Sequence, residues 1–320
     1  MSASTFRKLD EGPVSTAVEA QGLRWLAEAM PDGGAHVVPV TQGEGWIEEP
    51  RLSHGGTTAE AAEAFGRALA VTHAAGAPFF GAAPPGWDGV GQMGRSRIRL
   101  RDHDSTDPAD TGRAWGAFYA RDRIGAYIGD CRDSGALSER GARVLERVCS
   151  RLADGVFDSP QPALVEAGAA ARGQARAVSR THGDLWCGNV LWTPADEAAQ
   201  WAPPRAGLGP QEPAPGESRG GGEGRGDRRG GGPVGRSTVV GVLIDPMAQG
   251  AHAETDLAAL GVFGQRYLDR IYAAYHEVSP LAADWRERVG LHSWHIIMIH
   301  AFLFGGGYGG EAVAVARQYL

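Results

Sequence analysis

The sequence predicts an α+β protein, with a small β-containing N-terminal part and a larger, mainly helical C-terminal part. Three observations carry that expectation. The first fifty residues alternate short strand-like runs with a single amphipathic helix. From Thr57 onward the apolar residues recur at helical spacing almost to the end. Two apolar runs, at 190–192 and 238–244, break that pattern and flank a long Gly-, Pro- and Arg-rich segment.

The elements follow in order. Residues 4–9 (STFRKL) read as a short strand. After Pro13, Thr16 and Glu19 stand at capping-box spacing, and Leu23, Leu26, Ala27 and Met30 recur as one helical face. The run Pro31-Asp32-Gly33-Gly34 ends that helix. Residues 36–40 and 45–48 are expected to be two strands around a turn at Gln42-Gly43. Residues 59–73 read as an Ala-rich helix, followed by a Gly- and Pro-rich loop over 78–94. Helices are expected at 114–128 and 139–152, and the chain from Glu254 to Leu320 is mostly helical. The most apolar stretch, 294–304, is too short to span a bilayer and contains His295 and His300, so it reads as a buried helix.

The segment 194–236 contains GESRGGGEGRGDRRGGGPVG, which carries too little apolar area to offset the entropy of ordering. It is expected to be a disordered insertion at the tip of a hairpin, where added length costs little.

Composition narrows the function classes. The 320 residues carry a net charge of −7, which gives nucleic acid no basic surface to hold. Three cysteines, Cys131, Cys149 and Cys187, form no CxxC pair and suggest free thiols in a reducing, cytoplasmic setting. The polar opening residues hold no apolar signal stretch, and no membrane span is expected. Lys8 is the only lysine, beside thirty arginines. A site that needs a compact point charge on a flexible stem resists replacement by the planar guanidinium.

The run His182-Gly183-Asp184-Leu185-Trp186-Cys187-Gly188-Asn189 has the form H-x-D-x-x-x-x-N. That is the spacing of the catalytic loop in protein kinases. Phosphoryl transfer needs a carboxylate to orient the attacking hydroxyl and take its proton, and an amide oxygen to hold a metal on the phosphates. Asp184 suits the first task and Asn189 the second, while His182 braces the loop. Downstream, the apolar run Val239 to Ile244 ends in Asp245-Pro246, a carboxylate at a strand end suited to Mg²⁺. With the insert set aside, only a short hairpin separates Asn189 from Asp245. A strand lysine paired with a helix glutamate positions nucleotide phosphates in such folds, and Lys8 with Glu19 fits that pattern.

HGDLWCGN resembles the loop of the fructosamine kinase (ketosamine-3-kinase) family, within the aminoglycoside-phosphotransferase and choline-kinase group of protein-kinase-like folds. The segments IDPMAQGAHAETDLAALGVFG at 244–264, YHEVSPL at 275–281, HAFLFGGGY at 300–308, TFRK at 5–8 and VEAQGLRWL at 18–26 resemble further pieces of it in the same order. The resemblance implies a bilobal kinase-like fold, with a truncated nucleotide-binding lobe at 1–52 and a catalytic, substrate-binding lobe at 53–320. It implies ATP and Mg²⁺ as cofactors, with Asp184 the catalytic base, Asn189 and Asp245 on the metal, and Lys8 with Glu19 on the ATP phosphates. Asp256 would tie down the catalytic loop, and residues 46–49 would form the hinge that meets adenine. Trp186 would face the sugar or, equally, pack under the loop, and His73 and His300 are expected to be satisfied core histidines. The implied reaction is phosphorylation of the 3-hydroxyl of a small or protein-bound ketosamine, leading to deglycation.

Two departures qualify that expectation. The family opens with two strands and a Gly-containing loop over the phosphates, whereas this sequence opens at the lysine strand. A start placed too late is the expected reason, and a weakened, nucleotide-binding pseudokinase is the alternative. The insert is the second departure. A kinase for another small hydroxyl compound, such as an aminoglycoside, is the rival within enzymes, and Trp186 argues against it.

Overall fold

The computed structural model describes residues 4–12, 15–94, 96–101, 114–201 and 238–320. The chain opens with strand β1 (Thr5–Leu9) and helix α1 (Ser15–Ala27). Strands β2 (His36–Val37), β3 (Thr41–Gly43) and β4 (Trp46–Pro50) follow. β4 is the middle strand of a three-stranded antiparallel sheet, with β1 on one side and β3 on the other. The β3–β4 turn falls at Glu44-Gly45, two residues beyond the expected place. Gly45 supplies the positive φ of 73° that a tight hairpin demands.

Two expectations for this region are corrected. The capping box between Thr16 and Glu19 does not form. Asp10 takes the cap instead, accepting from the Thr16 amide at 2.8 Å and the Thr16 hydroxyl at 2.7 Å. Glu19 is thereby released for another partner. The strand expected over 36–40 is two residues long and pairs in parallel with a strand from the C-terminal half, so the first fifty residues are stitched to the rest through the backbone.

Helix α2 (Ala59–Ala74) is capped by Thr58, whose hydroxyl accepts from the Ala61 amide. The following loop, read as irregular, contains a small hairpin, β5 (Gly91–Met93) with β6 (Ser96–Ile98). The helix expected over 114–128 is three pieces in line: α3 (Trp115–Tyr119), one stretch of π-helix (Ala120–Ile124) and α4 (Gly125–Asp133). Helix α5 (Glu139–Ala153) lies where expected and is capped by Ser138. Helix α6 (Ala163–Ala171) and strand β7 (Ser179–Thr181) went unread, being an alanine-rich stretch and a three-residue strand.

Strand β8 (Val190–Pro194), the short helix α7 (Ala195–Ala198) and strand β9 (Val239–Leu243) enclose the insert. β8 and β9 pair antiparallel from Val190↔Leu243 to Pro194↔Val239, and the Ala195 amide donates to Thr238 O at 2.9 Å. Of the stretch 194–236 expected to be disordered, residues 202–236 lie outside the described residues, and residues 194–201 are structured: they complete β8 and form α7. The chain continues through β10 (Gln249–Ala251), α8 (Ala253–Val262), α9 (Leu268–Val278), α10 (Trp285–Phe304) and α11 (Tyr308–Arg317). α10 contains the apolar stretch 294–304; it is buried from Leu291 to Ile299, and Phe304 at its end is exposed.

One core joins these elements and includes Leu23, Trp25, Phe65, Phe118, Trp192, Tyr275 and Trp294. α2 lies close against α9, and a Cβ on Gly66 would come within 2.3 Å of Ile271 O, so that contact needs glycine. Among the described residues no helix is long and apolar enough to cross a membrane.

Candidate active site

The β8–β9 pairing decides the geometry. Val190 opposite Leu243 puts Asn189, just before β8, beside Ile244 and Asp245, just after β9. The Ile244 amide donates to Asn189 O at 3.2 Å. Asn189 Nδ2 donates to Asp184 O at 2.8 Å and to Asp184 Oδ2 at 3.1 Å, and reaches Asp245 O at 3.5 Å. Asp245 has a positive φ of 55°, an uncommon conformation that only a short polar side chain tolerates readily.

The loop that carries Asp184 is held from beneath. Asp256, near the start of α8, accepts from the His182 amide at 2.6 Å and the Gly183 amide at 2.9 Å. His73 Nε2 lies 3.1 Å from the same carboxylate, and His73 Nδ1 meets Tyr275 Oη at 2.9 Å. Burial pushes the Asp256 carboxyl up, but the His73 bond, the neighbouring histidines and the loop amide outweigh it and hold it low. His182 Nε2 sits 2.8 Å from Ile244 O, and its Nδ1 accepts from the Asp184 amide. Burial keeps His182 below the usual imidazole range, so it stays neutral and ties the loop to the β9 end.

Asp184 itself is in an unfavourable place for a charge. Burial, and then the Asp245 carboxylate, push it up to about 7, against the Asn189 hydrogen bond. Across the site, Lys8 Nζ donates to Glu19 Oε1 at 2.6 Å and lies 3.5 Å from Asp245 Oδ1 and 3.9 Å from Glu49 Oε2. Burial disfavours the Lys8 charge, but Asp245, Glu19 and Glu49 together raise it above the ordinary lysine value. Glu19 is pushed up to about 7 by burial and Asp245, with Lys8 opposing. Lys8, Glu19, Asp184 and Asp245 line a common cavity of about 390 Å³, closed on one side by Gln92, Met93 and Gly94 of the β5–β6 hairpin.

The donor set suits a hard divalent cation: a carboxylate oxygen of Asp245 and the amide oxygen of Asn189, with the Asp184 carboxylate beside them. The charges point the same way, since three carboxylates (Glu19, Glu49 and Asp245) gather near one ammonium and a fourth, Asp184, lines the same cavity. A polyanionic ligand enters such a site with accompanying cations.

Other expected residues lie outside that cavity. Trp186 does not line the cavity; it packs edge-on against Phe263, centroids 5.7 Å apart. His73 is fully buried and bonded on both ring nitrogens, while His300 is half-buried with Nδ1 on Ile296 O. Residues 46–49, expected to be the hinge, are the middle strand of the sheet, paired on both sides over 46–48. Backbone groups open on the β3 side begin only at Glu49. Sequence reasoning missed the Glu49 side chain and the hairpin wall. Alternation on β4 placed Glu49 on the face of Ile47, a signal that β1–β4 register makes legible only afterwards.

Comparison with known proteins completes the picture. Residues 17–320 match the family model described as fructosamine kinase. A probable ketoamine kinase of Synechocystis is 26% identical over 277 residues, covering 86% of this chain and 66% of that protein. The chloroplastic protein-ribulosamine 3-kinase of Arabidopsis thaliana is 23% identical over 325 residues, covering 97% and 73%. A solved structure from Thermobifida fusca, assigned provisionally as a fructosamine-3-kinase, superposes with a TM-score of 0.69 at 31% identity, over 99% of this chain and 85% of that one. The chain spans 66% and 49% of the first curated relatives it matches, from Synechocystis and Escherichia coli. With a family model matched along nearly its whole length, the chain belongs to the fructosamine kinase family.

Proposed function

We propose that this chain transfers the γ-phosphoryl group of ATP to the 3-hydroxyl of a ketosamine, a sugar adduct of an amine. The observation that supports this most is one cavity lined by Asp184, Asp245 and the Lys8–Glu19 pair, with Asn189 bonded to Asp184 beside it. The relatives named ketosamine-3-kinase and protein-ribulosamine 3-kinase supply the acceptor class. In this reading the chain is bilobal, with residues 1–52 binding nucleotide and 53–320 carrying the base and the acceptor.

Asp184 accepts the proton of the acceptor hydroxyl as its oxygen forms the new bond to phosphorus, and the bond to the leaving ADP oxygen breaks in line. A carboxylate raised towards 7 is well matched to take a proton near neutral pH. Asn189 orients Asp184 through its amide. Asp245 and the Asn189 oxygen would hold Mg²⁺, which supplies neutralisation of the phosphate charge when bound. Lys8, fixed by Glu19, lies against the phosphates. His182 and Asp256 keep the loop from drifting, because a displacement of about 1 Å costs roughly a hundredfold in rate. The phosphorylated adduct then decomposes and frees the amine.

The test is a panel of acceptors with ATP and Mg²⁺, read by ³¹P NMR of the products. Fructosyl- or ribulosyl-lysine is expected to gain a phosphate on its 3-hydroxyl. An aminoglycoside or choline as the preferred acceptor would contradict the reading.

A further inference from the structure

The side chain of Glu49 has no task in the mechanism above, and the family resemblance assigns its stretch a backbone role only. Glu49 lies on β4 opposite Phe6 and diagonal to Lys8. Residues two apart on a strand share a face, so Ile47 and Glu49 face the side of Lys8. Glu48 faces the other way and pairs with Arg7 at 2.8 Å. Glu49 is 5% exposed, and its Oε1 has no hydrogen-bond partner among the described residues. Leaving a buried carboxylate oxygen without a donor costs on the order of 1–3 kcal/mol. A methionine would fill a similar space without that cost, so the carboxylate itself asks for an explanation.

The nearest cation is Lys8, whose Nζ lies 3.9 Å from Glu49 Oε2. An ammonium has three donors. Glu19 takes one at 2.6 Å, and Asp245 draws a second at 3.5 Å. If Asp245 turns to a metal, as proposed above, Lys8 loses that neighbour. Glu19 rides on a helix, whereas Glu49 sits on a strand paired along its length with the lysine's own strand.

We propose that Glu49 is a second positioning residue for Lys8, holding its ammonium from the sheet while Glu19 holds it from α1. This rests on the reading that Lys8 meets nucleotide phosphates. The arrangement keeps Lys8 aimed when α1 shifts, and it makes the two glutamates partly redundant. Losing either is tolerated better than losing both.

The single lysine makes this measurable. Selective ¹⁵N-lysine labelling of the whole chain gives one side-chain ammonium signal, that of Lys8. Glu49→Gln is expected to move that signal and speed its hydrogen exchange several-fold. Glu48→Gln, on the same strand but the opposite face, leaves it unchanged. In kinetics, Glu49→Gln raises KM for ATP by about tenfold with a smaller change in kcat, the size of one lost charge-assisted contact. The Glu19→Gln/Glu49→Gln pair loses more than the product of the single losses. Should the amide not fold, Glu49→Met serves as the apolar replacement. An unchanged Lys8 signal in a folded Glu49 variant overturns the inference alone. A wild-type Lys8 signal that does not move on adding MgATP overturns the nucleotide reading, and the inference with it.

Discussion

Asp184 is held where its own ionisation is opposed, by burial first and by Asp245 second, and that has a consequence for stability. Its folded-state value of about 7 lies above the roughly 3.9 of an unfolded aspartate. Between those values the folded chain binds a proton that the unfolded chain has released. The stability linked to this group is therefore full below about pH 4 and is lost as pH rises through about 7. Asp184→Asn removes the penalised charge while keeping the shape. In metal-free buffer it is expected to raise the melting temperature, by more at pH 8 than at pH 5.5, and added Mg²⁺ shrinks the difference by stabilising the wild type. A larger gain at the lower pH would contradict the assignment. At this scale spacing and chemistry singled out His182, Asp184, Asn189 and Asp245, which the fold brings together. Asp10 as the cap of α1 was not, because Thr16 and Glu19 offered a local alternative with the right spacing. The choice went to Glu19's ion pair with Lys8, a contact that exists only once β1 and α1 are packed together.

The loop at 182–189 and its flanking strands form one unit, with Asp256 below and the β8–β9 ladder beside it. Gly183 shows how little slack it has. Its φ is +81°, and a Cβ there would lie 2.0 Å from Met247 O. Gly183→Ala therefore combines a left-handed strain with a backbone clash. The expected cost is about 2 kcal/mol of stability, by denaturant titration, with turnover reduced by tenfold or more because Asp184 is displaced. A variant with wild-type stability and rate would show that the loop tolerates the shift. Several elements were visible beforehand because their period is strong: α2, α5, and the apolar strand before Asp245. Others were invisible for physical reasons. β7 is three residues and exists only through pairing with β10 far along the chain, and the strand expected over 36–40 keeps only the two residues that pair with β9. The β5–β6 hairpin lies in a stretch whose glycines and prolines mark turns more clearly than strands, yet it supplies a wall of the site.

At the scale of the molecule, the fold brings residue 8 to residues 184 and 245 and lets a long insertion leave and return at one hairpin end. Pro194 pairs with Val239 and Ala195 bonds to Thr238, so the insertion joins the domain through adjacent residues rather than through the site. That much followed from reading the insertion as a hairpin tip. The parallel pairing of β2 with β9 did not, and it binds the N-terminal residues to the sheet that presents Asp245. The two ends of the site are thus joined through backbone as well as through Lys8. The central claim is that this assembly is a phosphoryl-transfer site with Asp184 as its base. It is tested most directly by ATP turnover with a ketosamine acceptor, comparing wild type with Asp184→Ala and checking both by circular dichroism. The account predicts acceptor-dependent turnover by the wild type and a loss of at least about a hundredfold in a variant that remains folded. Undiminished turnover by folded Asp184→Ala would contradict it.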